Sequence, residues 1–562
     1  MRSSLSKIKI RIAVGYKVTV ILGALAFLLT SGTAVGHQQS SSVDTRPVTL
    51  MAGLGDHHHP VSTDNPEAQQ FFDQGLKWVF AFNHDEAVRS FKRAAELDPK
   101  LAMAYWGIAL ALGPNINLDV DPEREKAAYE AVQKALVLAA TAPEHERAYI
   151  EALAKRYSID PNVDLKKLAV DYKNAMGELA RRYPDDLDAA TLYAESAMDL
   201  NPWKHWNKDG TPAEGTEEIV AVLESVLRRD PHHMGANHYY IHAVEASPHP
   251  EWALPSAQRL ETLAPAAGHL VHMPAHIYMR TGDYDASARQ NQAGAEADRA
   301  YFQNNDAQGI YRLGYYSHNL HFLAVARSIQ GQFSDAKKAA DQLVKHVGPY
   351  VKEVPFLEGF MPTSTLVLLR FHRWDDILQS PEPDPGMAVT TALWRFARGM
   401  AYAATGKVED AEAERKAFGA VMETVPPETP FGLLNKAGDI LNIAQNVLDA
   451  KIAMARGDKK SAIGLLRKAV EMEDNLSYDE PPSWYPPVRE SLGGALLRNG
   501  DYAEAEKVFR VDLEKNPRSG RSLFGLMESL KAQGKTYDAQ WAQKEFEAAW
   551  QNADTQLRVE DL

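Results

Sequence analysis

Six histidines fall between residues 238 and 276, and the spacing of four of them repeats. His238 and His242 stand four apart, as do His272 and His276, and each member of the first pair lies 34 residues before its counterpart in the second. Residues three or four apart share one side of a helix, so each pair presents two imidazoles together, a spacing that suits bidentate metal binding. Glu245 continues the first face. The stretch GHLVHMPAHIYMRTGDY, Gly268 to Tyr284, adds His269, and His318 and His321 follow farther on. Imidazole with carboxylate suits Zn, Fe(II), Mn, Ni or Cu(II), and ligand type does not choose among them. Three histidines and one carboxylate would complete a tetrahedral site. Two histidines and one carboxylate would leave positions open for Fe(II) oxygenation or metal-assisted hydrolysis. The donors exceed what one ion needs, so some would orient ligands or move protons, or hold a second ion.

Cysteine is absent from all 562 residues, which excludes thiolate nucleophiles and zinc-thiolate sites and leaves soft-metal chemistry to histidine. No GxGxxG followed by a βαβ pattern, no Walker A loop, no GxSxG elbow and no HExxH occurs, so nucleotide, serine-hydrolase and metalloprotease readings lack support. Several tyrosines, among them Tyr239, Tyr240, Tyr278, Tyr311, Tyr315 and Tyr316, accompany the histidines and would serve as proton donors or aromatic walls.

The chain opens with Arg2, Lys7, Lys9, Arg11 and Lys17 and no acid, followed by the uncharged run VTVILGALAFLLTSGTAV and the small residues Ala34-Val35-Gly36. That layout is a secretory signal over residues 1–36, with a membrane anchor as the outcome if the run is kept. The expected location is periplasmic or extracellular. Removing those five basic residues takes the formal charge from −14 to −19, so nucleic acid is not an expected partner. Residues 37–65 are polar, with Gly and Ser, and read as a linker in which His57, His58 and His59 are solvated or bind metal weakly.

What positions the histidines is a repeat. A small residue, often Gly, is followed by a turn and by Ala or another small residue five positions later: GQFSDA from Gly331, GKVEDA from Gly406, GDKKSA from Gly457, GDYAEA from Gly500 and GKTYDA from Gly534, with GDYDAS from Gly282 and FNHDEA from Phe82 as variants. Helical periodicity alternates with turns and no strand-like alternation intervenes, so the fold class is all-α, a solenoid of helix pairs with long loop inserts. Two blocks of repeats, 66–378 and 388–550, are expected. The inserts NPWKHWNKDGTPAEG, QSPEPDPGM and DEPPSWYPPVRE are rich in Pro, Gly and aromatics and read as loops, some placed to cover a groove.

These stretches resemble the tetratricopeptide repeat, whose unit of about 34 residues is two antiparallel helices with Gly near the turn and Pro after the second helix. Asn83 to Leu112 and Asn499 to Leu530 match it well, and the resemblance spans about residues 66 to 550 with irregular spacing. It implies that the first helix of each pair lines a concave groove. His238, His242 and Glu245 would then face that groove from one repeat and His269, His272, His276 and Arg280 from the next. His318 and His321 would do so from the following repeat, and Asp188, Glu195 and Asp199 from the preceding one. Pro274, just after His272, would leave His269 in the entering loop.

The expected function is an exported solenoid that binds a divalent transition metal (Zn, Fe or Cu) in a His/carboxylate pocket. His238, His242, His272 and His276 would be ligands, and Glu195, Glu245 and His321 catalytic bases, ligands or relays of a hydrolase or oxidase. Asp199, His269, Arg280 and His318 would line a substrate or partner groove. The alternatives are a metal-free scaffold gripping a protein or peptide partner in that groove, and a metal storage or delivery protein.

Overall fold

The computed structural model describes residues 47–305 and 309–562; residues 1–46, which include the expected secretory signal and the start of the expected linker, lie outside the described residues. The fold is an all-α stack of antiparallel helix pairs, from Pro66–Phe80 with His84–Leu97 to Gly520–Ala532 with Thr536–Ala549. The strands among the described residues are the short antiparallel pair Pro430–Phe431 and Asn435–Lys436.

The repeat signal has a direct structural cause. Gly282, Gly331, Gly406, Gly457, Gly500 and Gly534 all adopt positive φ, between 72° and 90°, the left-handed conformation that ends a helix and that glycine adopts at least cost. Five residues on, the small side chain lies where two helices meet: Ala87, Ser287, Ala336, Ala411, Ala462, Ala505 and Ala539 are at most 4% exposed. A larger side chain there would hold the helices apart. Phe82 takes the glycine position of the first turn and carries φ 55°, strain that a non-glycine residue accepts only when its side chain is held elsewhere.

Two features depart from the sequence expectation. Residues 47–65 are packed rather than free. Gly53 O accepts from Ala266 N at 2.9 Å, Lys77 donates to Gly55 O at 2.8 Å, and Leu54 and His59 are buried. The apolar core also divides elsewhere than at 378–388, because its two large clusters meet between residues 275 and 315, through the histidine-bearing helices. Residues 47–562 form one compact unit.

The stack curls on itself. The turn of the first pair reaches the middle helices, where Tyr301 donates to Glu86 at 3.0 Å. From the other end, Asp554 accepts from the backbone N–H groups of Phe333 and Ser334 at 2.7 and 2.9 Å. Arg370 meets Glu490 through two 3.1 Å bonds across 120 residues of sequence. The middle helices are therefore enclosed from both sides.

Candidate metal centre

The helices Met234–Val244, Gly268–His272, Pro274–Thr281 and Tyr316–Ile329 carry the histidines. Glu245 caps the first of them. Pro274 ends one helix and begins the next, and His269 sits on the short Gly268–His272 helix rather than in an entering loop. Its Nε2 lies 3.1 Å from His238 Nε2. On the other side, His272 and His276 Nε2 approach to 2.8 Å, and His318 Nε2 lies 3.4 Å from His276 Nε2. Ligand atoms of His238, His242 and His269 fall within 4.8 Å of one another, and so do those of His272, His276 and His318. Tetrahedral ions with metal–nitrogen bonds of 2.0–2.1 Å hold their nitrogens about 3.4 Å apart, so these spacings suit metal coordination.

What fixes the imidazoles is their other nitrogen. His238 Nδ1 donates to the Phe80 carbonyl at 2.7 Å. His242 and His276 donate Nδ1–H to the two oxygens of Glu245, at 2.7 and 2.6 Å. His272 donates Nδ1–H to Asn291 Oδ1 at 2.6 Å, and the Asn291 amide is oriented by its own bond to Ser287 O. A carbonyl or carboxylate acceptor forces the proton onto Nδ1. The four Nε2 lone pairs are therefore turned inward, the arrangement in which carboxylates and carbonyls orient metal-bound histidines.

Electrostatics agree. Burial holds His238, His242, His269, His272 and His318 below the ordinary imidazole range, in the neutral state a ligand needs. Burial also opposes charge on His276, but Glu245 and then Glu480 outweigh it and push that ring up to about 10. Glu245, despite its own burial, is held below the usual carboxylate range by His276 and His242. The facing His272 and His276 nitrogens thus require a cation between them: a proton in the metal-free protein, or a metal ion.

The surroundings come from distant segments. Phe82 lies edge-on to His238 at 4.5 Å and stacks on His269 at 5.4 Å, measured between centroids. Tyr315 lies edge-on to His269 at 4.8 Å, and Trp203 edge-on to His242 at 5.4 Å, so the NPWKHWNKDG insert does fold over the histidines. From the C-terminal repeats, the DEPPSWYPPVRE insert brings buried Glu480, with one oxygen 3.8 Å from His276 Nδ1. Tyr478 donates to Glu480 and approaches Glu245 at 3.4 Å. The result is an enclosed centre: His238, His242, His269, His272 and His276 are at most 5% exposed, and His318 is half-buried.

The other predicted residues go elsewhere. Glu195 and Asp199 pair with each other and with Arg156, which reaches Asp199 at 2.6 Å, and burial followed by Asp199 raises the Glu195 carboxyl well above its usual range. His321 packs against Phe360 and is pushed down to about 4 by burial; it belongs to neither three-histidine set. Arg280 donates to the carbonyls of Glu245 and Ser247 at 3.0 and 3.1 Å, which fixes the end of the Met234–Val244 helix. Of the tyrosines, Tyr240 and Tyr278 turn away toward Glu224 and Glu261. Asp188 faces the N-terminal segment, where His57, His59 and His233 lie 3.0, 2.7 and 3.1 Å from its oxygens. This group also has metal-like spacing. The His233 tautomer opposes an ion, however: Ala236 N–H donates to His233 Nδ1, so the proton sits on Nε2 and is given to Asp188. We read it as a hydrogen-bonded clasp on residues 47–65.

No family model matches the chain, and no curated protein matches it. Among solved structures it is similar to a human IFIT1 dimer with m7Gppp-AAAA, at 13% identity and a TM-score of 0.32 over 87% of this chain and 91% of that one. The APC/C hetero-tetramer Cut9-Hcn1 is 12% identical, with a TM-score of 0.29 over 88% and 75%. Yeast Tom70 is 11% identical, with a TM-score of 0.27 over 86% and 90%. None of these likenesses bears on the centre, whose chemistry follows from its own donors.

Sequence reasoning did not single out Glu480, Tyr478, Asn291 or the Phe80 carbonyl. The insert that carries Glu480 stood out by its prolines and aromatics; nothing in its sequence pointed to a histidine 204 residues away.

Proposed function

We propose that this chain is a metalloprotein whose enclosed histidine centre holds a divalent transition metal, Zn, Fe or Cu, as a resident cofactor. The observation that carries this reading is the set of four imidazoles whose Nδ1–H groups are tied to fixed acceptors and whose Nε2 lone pairs converge. A preformed, buried donor set favours a retained ion over cargo in transit, because exchange would require the chamber to open. The same enclosure argues against the concave face gripping a peptide. The centre would act on a small substrate, by hydrolysis or oxidation.

Elemental analysis of untagged protein tests the reading, with the double variant His242→Ala/His276→Ala and the variant Glu245→Gln alongside. Tightly held metal in the wild type should vanish in the double variant, and affinity should fall about 10- to 100-fold in Glu245→Gln, which removes a group that orients two ligands. Absence of metal from the wild type after exposure to Zn, Fe(II) and Cu(II) in turn would sink it.

Export is proposed on residues 1–36 alone. Mass spectrometry of the chain recovered outside the cytoplasm should give a polypeptide beginning at His37; an intact Met1 in a membrane fraction would show an anchor instead.

A further inference from the structure

The proposed centre has a property that a single ion does not explain. Its histidines fall into two sets of three, each compact enough for one ion: His238, His242 and His269, and His272, His276 and His318. Each set contains an i, i+4 partner or neighbour from a different helix, so each is closed by tertiary contact and not by one helix alone. A tetrahedral ion cannot take six nitrogens. Within the sets the Nε2 atoms lie 3.1, 2.8 and 3.4 Å apart. Ring centroids lie 4.7–6.3 Å apart within the sets and 5.8 Å apart across them, His242 to His276 and His269 to His272, so the sets adjoin and are told apart by the mutual reach of their ligand atoms rather than by a gap between rings.

Glu245 joins them. One of its oxygens accepts from His242 of the first set and the other from His276 of the second, so a single carboxylate orients one ligand of each. Both oxygens are thereby occupied by N–H donors, and Glu245 is a positioning residue for the two sets rather than a bridging ligand. Buried Nε2 of His242 has no hydrogen-bond partner, although a polar atom so buried is ordinarily satisfied.

We propose that the centre is binuclear, with one imidazole-favouring transition-metal ion held by His238, His242 and His269 and a second by His272, His276 and His318. This rests on the reading of the centre as a metal site and goes further in number and arrangement. Three protein nitrogens leave at least one position on each ion; five of the six histidines are buried and His318 is half-buried, which favours a small occupant, a water or hydroxide or a substrate of similar size.

The test uses the full mature chain loaded with Cu(II), desalted, and measured for copper per chain and by electron paramagnetic resonance. His269→Gln and His318→Gln remove one ligand from each set separately, and circular dichroism and the thermal midpoint establish that each variant is folded. Two ions are expected in the wild type, with a signal broadened or diminished by coupling between them. About one ion should remain in each variant, now with the signal of an isolated Cu(II) that accounts for all the copper present. One ion in the wild type, lost in both variants, would overturn the binuclear assignment while leaving the metal site standing. No tightly held metal in any of the three after loading with Cu(II), Zn and Fe(II) in turn would overturn both.

Discussion

Asp298 shows how a single side chain couples the centre to pH. It is 1% exposed and accepts from Tyr311 and Asn319 at 3.0 Å each; Tyr311 in turn accepts from the backbone N–H of His269. Burial, resisted by those two donors, pushes its carboxyl from 3.8 up to about 7. Between those values the unfolded chain has released a proton that the folded protein retains, so stability falls as pH rises through that window and levels off above it. Asp298→Asn removes the ionisation, and a flip of the Asn319 amide, whose oxygen is buried and unpartnered, would supply an acceptor for the new N–H. The fall in unfolding free energy between pH 4 and pH 8 should then shrink by on the order of 2–4 kcal/mol, measured by urea denaturation at each pH. An unchanged pH profile would place the Asp298 pKa near its ordinary value.

At the scale of elements, the centre depends on how closely the Gly268–His272 helix approaches the Tyr284–Asn304 helix. Gly294 makes that approach. A Cβ there would stand 2.8 Å from Gly268 O and 3.1 Å from His272 Cβ, so the two helices would have to separate. Overpacking by Gly294→Ala should cost about 1–3 kcal/mol, offset in part by the roughly 1 kcal/mol of alanine's better helix propensity, for a net loss of up to about 2 kcal/mol. Denaturant titration reads the cost directly, and a stabilised variant would show that the two helices are not in close contact. The same crowding explains Pro274. Ending one helix and beginning the next at Met273 lets His269 and His272 sit on one segment and His276 on another.

For the whole molecule, closure of the stack is what makes a chamber from a concave face. Its strongest polar contact is Glu490, nearly buried, which receives Arg370 through two 3.1 Å bonds and lies 3.0 Å from Arg521 Nε. Glu490→Ala would leave two buried guanidinium groups uncompensated, and breaking such an ion pair on one side costs about 3–5 kcal/mol. Thermal unfolding should show the loss. A shift of the midpoint under about 1 °C would mean that solvent reaches these arginines, since with an unfolding entropy of about 2.1 cal/mol/K per residue a unit this long moves by roughly 1 °C per kcal/mol.

The repeat architecture and the pairing of His238 with His242 and of His272 with His276 were legible from local signals: glycines that end helices, small residues at helix crossings, and a helical spacing of four. Such features depend on neighbours within one turn or one repeat, so the chain states them directly. The direction in which the histidines face is also local. Their environment is not. The repeat resemblance implied a concave groove lined by these histidines, and the structure encloses it, because Phe80 and Phe82 arrive from the first turn, Trp203 from an insert, and Tyr478 and Glu480 from the C-terminal repeats. Likewise Glu195, Asp199 and Asp188 fit the concave positions by register, yet pair with Arg156 and with the N-terminal histidines once those segments pack. Curvature accumulates from small rotations at every helix pair, and only their sum decides which distant side chains meet.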